Sequence, residues 1–184
     1  MIAHFGFKKT PFEKTISESE LLETYDMKEA LARFEYLKKS RGIMLITGDP
    51  GMGKTCILRK IVKSLNPQNY QHCYTPHATI SRREFYRQLS FLFNLPEKSS
   101  KTILYHQLQQ GINDICKNQG KIPCIILDEC HLMDDATLEE LVLLTNFEMD
   151  SKVPFIILLV GFNELREKLK RRRHEALNQR VTFR

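Results

Sequence analysis

The chain has 184 residues, a formal net charge of +6 and an isoelectric point near 9.1. With 42% hydrophobic and 27% charged residues it has the composition of a soluble globular domain with one sizeable core, which excludes disordered and fibrous classes. The longest apolar stretch, 153–162, is broken by a proline and too short to span a bilayer. No charged leader with an apolar core opens the chain, and five cysteines without C-x-x-C spacing predict reduced thiols in a cytoplasmic protein.

Taken in order, Phe5, Gly6 and Phe7 with Thr10, Pro11 and Phe12 form an aromatic leader containing a turn-prone step into proline. A helix is expected over 27–39, with Met27, Ala30, Leu31, Phe34 and Leu37 on one face. The apolar run 43–47 reads as a short buried strand. It leads into Gly48-Asp49-Pro50-Gly51-Met52-Gly53-Lys54-Thr55, which matches G-x-x-x-x-G-K-[ST] at every fixed position.

Order carries the chemistry of this motif. The glycines let backbone N–H groups curl around an anion, and Lys54 brings a positive charge to the β- and γ-phosphates. The Thr55 hydroxyl can ligate Mg²⁺, and the helix that continues through Cys56 adds the positive end of its dipole. ATP with Mg²⁺ is the expected cofactor, bound by residues 48–56. A guanine-reading N/T-K-x-D motif is absent from the sequence.

Beyond the loop, a helix fills 56–65 and a strand 70–75. Ser81 and Glu84 form an S-x-x-E capping box that starts a helix running to about 93, and a further helix is expected over 103–117. The strand 123–127 ends in Asp128 and Glu129. A carboxylate at a strand's C-terminal edge beside a phosphate loop holds Mg²⁺, assigned here to Asp128, and the adjacent Glu129 takes the general-base task of activating water. A helix over 138–147 precedes the strand 153–160 and Gly161-Phe162-Asn163. Asn163 has two readings: a γ-phosphate contact at a strand's carboxyl edge, or the cap of the helix 164–169. Residues 177–184 lead into a last strand. Strands alternating with helices predict an α/β fold whose parallel sheet is covered on both faces.

Two further groups invite a metal reading, His72-Cys73 with His77 and Cys130-His131 with Asp134. Neither has zinc spacing, and both are read as structural. The string Asp128-Glu129-Cys130-His131 also resembles motif II of DExH helicases, which require a second lobe for which one domain's worth of residues leaves no room.

The elements in this order resemble the AAA+ ATPases across essentially the whole chain. That resemblance implies a P-loop three-layer sandwich with a five-stranded parallel sheet. Residues 1–40 would form a leader and helix packed on the core, and 41–184 the large α/β subdomain, without the small helical lid. It implies a sensor role for Asn163, and for Arg180, just before the last strand, a trans-acting finger that stabilises charge on a neighbour's transferring phosphate. The other reading of Arg180 is an arginine favoured by a helix end.

Phe5-Gly6-Phe7, Thr10-Pro11-Phe12, the approach Ile46-Thr47-Gly48 and the run 143–151 narrow the likeness to two groups. One is the MuB-like ATPases encoded beside transposases, the other the secretion-associated ExeA ATPases. The first implies assembly into rings or filaments on duplex DNA, recruitment of a transposase and target selection in transposition. Phosphate contacts would then come from Arg82, Arg83 and Arg87, whose other reading is a solvated helix face. The basic run 168–173 carries the same pair of readings, or supports a subunit interface. Phe5 to Phe7 would stack on adenine or pack in the core. The second group implies action on envelope proteins. A small P-loop phosphotransferase is the alternative from a different class, separable by its second small substrate and monomeric state.

Overall fold

A computed structural model of the chain describes residues 21–76, 79–147 and 153–184. The aromatic leader, His77 and the part of the run 143–151 after Phe147 lie outside them. Helix α1 (Tyr25–Ser40) starts where the Thr24 hydroxyl accepts a hydrogen bond from the Met27 amide at 3.2 Å. It buries Met27, Phe34 and Leu37 of the stripe expected from its spacing, with Ala30 and Leu31 half-buried beside them. There follow β1 (Gly42–Thr47), α2 (Lys54–Ser64), β2 (Tyr70–Thr75), α3 (Arg82–Leu92), α4 (Lys101–Lys117), β3 (Ile122–Leu127), α5 (Asp135–Leu144), β4 (Ile156–Gly161), α6 (Asn163–Leu169), α7 (Glu175–Arg180) and β5 (Val181–Phe183). Single 3₁₀ turns occupy Cys130–Leu132 and Arg172–His174.

The strands form one parallel sheet in the order β2-β3-β4-β1-β5, so the expected α/β architecture is the observed one. Side chains alternate across it. Met44, Ile46, Cys124, Ile126, Leu158 and Val160 face α1 and α2. Ile43, Leu45, Ile125, Leu127, Ile157 and Leu159 face the layer of α3, α4 and α5, with Leu165 and Leu177 of α6 and α7. Burial on both faces explains why β3 and β4 read as continuous apolar runs.

Register places the functional edge. Ile43 pairs with Ile157 and Thr47 with Gly161, while Ile125 and Leu127 pair with the same Ile157 and Leu159 of β4. The carboxyl ends of β1, β4 and β3 therefore lie side by side at one edge of the sheet, where open α/β folds gather ligands. The Asp128 amide is fixed there by the Thr75 carbonyl at 3.0 Å, which brings in the end of β2.

Several element boundaries differ from expectation by one to three residues. Helix α5 begins three residues early because the Asp134 carboxylate accepts a hydrogen bond from the Thr137 amide at 2.6 Å, a cap that apolar periodicity does not register. α4 begins at Lys101, directly after Ser100. The capping box at α3 is half made: Ser81 accepts from the Glu84 amide at 3.4 Å, but the Glu84 carboxylate turns to Arg87 at 2.9 Å.

At the start of β1, Gly42 has φ of +116°, and a Cβ there would lie 2.4 Å from Thr182 Oγ1 of β5. Gly42→Ala is expected to cost about 1–3 kcal/mol by overpacking and backbone strain. Thr182→Ala should recover only the steric part, as read from urea unfolding of the single and double variants.

Candidate active site

After Thr47 the chain turns through the loop 48–53. Gly51 and Gly53 have φ of 81° and 82°, a region that strains any L side chain, yet a Cβ at either would meet nothing within 4 Å. Backbone conformation, not room, demands glycine here. Helix α2 then starts with no side-chain cap and no acidic residue in its first turn. Its leading amides and dipole are left for an anion from outside. The Lys54 ammonium meanwhile bends back on its own loop, donating to the Gly48 and Asp49 carbonyls at 2.8 and 3.1 Å. It also lies 4.5 Å from the centre of the Phe162 ring. Pro50, Met52 and Thr55 are exposed and Cys56 is half-buried.

The acid pair follows β3. Asp128 is buried, yet both its oxygens are engaged: Oδ2 accepts from the Tyr74 hydroxyl at 3.0 Å and Oδ1 from the Glu129 amide at 2.9 Å. Burial, and then the hydrogen bond to this carboxylate, push the Tyr74 phenol up to about 12, so it remains a donor throughout the physiological range. Glu129 has φ of 55°, a left-handed conformation uncommon for a non-glycine residue. That turn sends its carboxylate to the half-exposed side of the site, 3.4 Å from His131 Nδ1.

The third contribution comes from β4. Asn163 is the first residue of α6, not its cap: Phe162 holds the cap position, and no side chain caps this helix. The Asn163 amide instead donates to Asp49 Oδ1 at 2.7 Å, tying the end of β4 to the phosphate loop. The Gly48 amide donates to the Gly161 carbonyl at 3.3 Å beside it. Phe162 stacks on His131 with ring centres 4.1 Å apart and planes inclined by 27°. The structure thus brings together Asp49, Lys54, Asp128, Glu129 and Asn163. It adds Tyr74, Phe162 and His131, which composition and spacing did not single out for this role.

These residues fit Mg–ATP. An uncapped helix start, two left-handed glycines and an ammonium held by neutral carbonyl oxygens and an aromatic face suit a polyphosphate. The Thr55 hydroxyl and the Asp128 carboxylate are hard oxygen donors of the kind Mg²⁺ takes.

Other expected residues lie apart from this cluster. Arg180 ends α7, where Nη1 donates to Thr145 Oγ1 at 3.2 Å, against the C-terminal end of α5. Arg82, Arg83 and Arg87 occupy the first turns of α3 as expected. Arg82 lies 3.9 Å from the buried Glu140, however, and Arg87 is bound to Glu84 at 2.9 Å and Glu97 at 3.2 Å. In the run 168–173, Lys168 and Arg173 pair with Asp135 at 3.5 and 2.9 Å, and Lys170 with Glu167 at 2.7 Å. Cys73 is buried in β2 while His72 is exposed, as alternation requires, and among the described residues no group of His, Cys, Asp and Glu is arranged to hold a metal.

The helix behind the acid pair is electrostatically tuned. Hydrogen bonding from Thr137 holds the Asp134 carboxyl below its ordinary value, and hydrogen bonding from His174, then the Arg173 charge, does the same for Asp135. A lowered folded value contributes stability above the unfolded aspartate value of about 3.9 and loses it as pH falls through the folded value. Asp134→Ala should therefore cost about 1 kcal/mol at neutral pH. The gap from wild type should close below about pH 4, as followed by denaturant melts across pH.

The family model of the AAA domain matches residues 37–169. The chain is 30% identical over 182 residues to General secretion pathway protein A of Aeromonas hydrophila, covering 98% of this chain and 33% of that protein. It thus spans about a third of the length of this curated relative. Among solved structures it is similar to Cdc6p from Pyrobaculum aerophilum, with a TM-score of 0.65 and 14% identity over 94% of this chain and 48% of that one. It is likewise similar to the Aeropyrum pernix ORC2 protein in its ADPNP–ADP complexes, with a TM-score of 0.65 and 18% identity over 94% and 49% of the two chains. The Thermotoga maritima RuvB Holliday junction branch migration motor matches with a TM-score of 0.51 and 19% identity over 91% and 46%. At such identities these three likenesses show the fold. Together with the phosphate loop and the acid pair at adjoining strand ends, the family match shows that this chain belongs to the AAA+ P-loop ATPases.

Proposed function

We propose that this chain is the nucleotide-hydrolysing module of a Mg–ATP-dependent, self-associating ATPase that serves a secretion-associated assembly. One observation carries the catalytic part: adjoining ends of β1, β3 and β4 set Lys54, Asp128 with Glu129, and Asn163 along one edge, linked through Asp49 and Phe162. When bound, Mg–ATP supplies the transferable phosphoryl group and a divalent charge to stabilise its transfer. Lys54 exchanges two carbonyl oxygens for phosphate oxygens. Thr55 and Asp128 would hold the metal. Glu129, on the open side of the site, orients a water and takes its proton. Asn163, released from Asp49, reports the terminal phosphate. Arg180 completes the site of an adjacent copy, leaving Thr145 on assembly.

The secretion role rests on likeness to the Aeromonas hydrophila protein over nearly the whole of this chain. The DNA-bound transposition reading, with its transposase partner, takes second place: Arg82 and Arg87 of the expected phosphate-tracking cluster already face carboxylates.

Calorimetry and steady-state turnover test the catalytic part. Lys54→Ala should abolish measurable Mg–ATP binding. Glu129→Gln should bind normally while turnover falls by about 10²–10⁴-fold, the usual worth of a general base. Equal turnover in Glu129→Gln and wild type would remove Glu129 from the mechanism.

Assembly gives a second test. Arg180→Ala should lower turnover by about 10³-fold or more at concentrations where the chain self-associates and leave nucleotide affinity within about twofold. Adding duplex DNA should leave wild-type turnover unchanged. Stimulation that weakens steeply with salt would restore the DNA-bound reading in place of the secretion role.

A further inference from the structure

His131 stands between the general base and the phosphate sensor, and one of its ring nitrogens faces two partners with opposite demands. Nδ1 lies 3.4 Å from Glu129 Oε2. The Phe162 amide donates toward the same Nδ1, also at 3.4 Å. A carboxylate requires N–H at that position, whereas an amide N–H requires a lone pair. Both distances sit at the weak end of hydrogen bonding, so the ring satisfies one partner at the expense of the other.

The ring cannot evade the choice by moving. It is stacked on Phe162, and Gly161 packs so closely that a Cβ there would lie 3.1 Å from the His131 amide nitrogen and 3.2 Å from Nδ1. Phe162 in turn is bounded by both phosphate-reading side chains. Its ring lies under the Lys54 ammonium, and its chain neighbour Asn163 is held by Asp49.

From this geometry we infer that His131 is a positioning residue that gates Glu129. With the proton on Nδ1, His131 holds the Glu129 carboxylate aside. When Lys54 and Asn163 leave the loop for phosphate, the Phe162 amide moves onto Nδ1. The ring then gives up that proton to water and takes one at Nε2, with no change in net charge, and Glu129 is released to activate water. The ring edge reaches solvent, with its side chain 11% exposed, which permits this exchange. The inference rests on the ATPase reading of the site and adds its regulation.

Ring ¹⁵N spectra of the whole chain test it directly. The chain alone should show His131 protonated at Nδ1, and Mg–ATPγS should move it to the Nε2–H form. If ATPγS binds by calorimetry and the ring signature stays unchanged, the gate is refuted while the ATPase reading stands. If ATPγS does not bind, the ATPase reading itself fails and the gate fails with it. Turnover supplies an independent readout. His131→Phe keeps the stacking but has no nitrogen, so a folded variant should hydrolyse ATP about three- to tenfold faster than wild type, in kcat with KM unchanged. His131→Asn, whose amide both accepts and donates, should return turnover to within about twofold of wild type. A structural role alone would lower turnover or leave it unaltered, and either result in folded His131→Phe overturns the gate.

Discussion

Everything in the site depends on β4 lying between β1 and β3 in a parallel sheet. A parallel ladder puts the carboxyl ends of its strands on the same side, and the register aligns Thr47 with Gly161 and Leu127 with Leu159. Three segments far apart in the chain, the phosphate loop, the acid pair and the α6 start, thereby converge without a long excursion. The apolar runs that build these strands carry no chemistry, yet their burial on both faces fixes the positions from which the polar residues project.

Hydrogen-bonding groups at this edge are satisfied internally. Lys54 is held by carbonyl oxygens, Asn163 by Asp49, and Asp128 by a phenol and an amide, so each polar group has a protein partner that a phosphate or a cation can replace. Such exchange limits the penalty of leaving buried polar groups unpaired in either state. It also limits the affinity that any one contact contributes, because each new bond displaces an old one.

The sequence made much of this legible, for identifiable reasons. The phosphate-loop motif is contiguous, and what its glycines and lysine offer, backbone conformation and charge, is written in local order. The acid pair was legible because a run of apolar residues ends abruptly in carboxylates. The start of α5 was not, since Asp134 acts by one side-chain bond to Thr137 that hydrophobic spacing ignores. Nor were Tyr74, His131 and Phe162. Each takes its place through sheet register or a ring contact between segments far apart in sequence, and nothing in the spacing of Cys130-His131 specifies a stacked imidazole beside a carboxylate. For Asn163 the structure removes the helix-cap reading, since Phe162 holds that position and the Asn163 amide reaches Asp49.

Cys130, directly after the acid pair, is fully buried, and its thiol donates to the Leu127 carbonyl at 3.1 Å. Burial pushes this thiol up to about 12, so it carries almost no thiolate at neutral pH. The thiolate is the form that reacts with oxidants and alkylating reagents, so Cys130 offers little reactivity beside Asp128 and Glu129. The acid pair is in this way followed directly by a cysteine that is kept as an unreactive thiol.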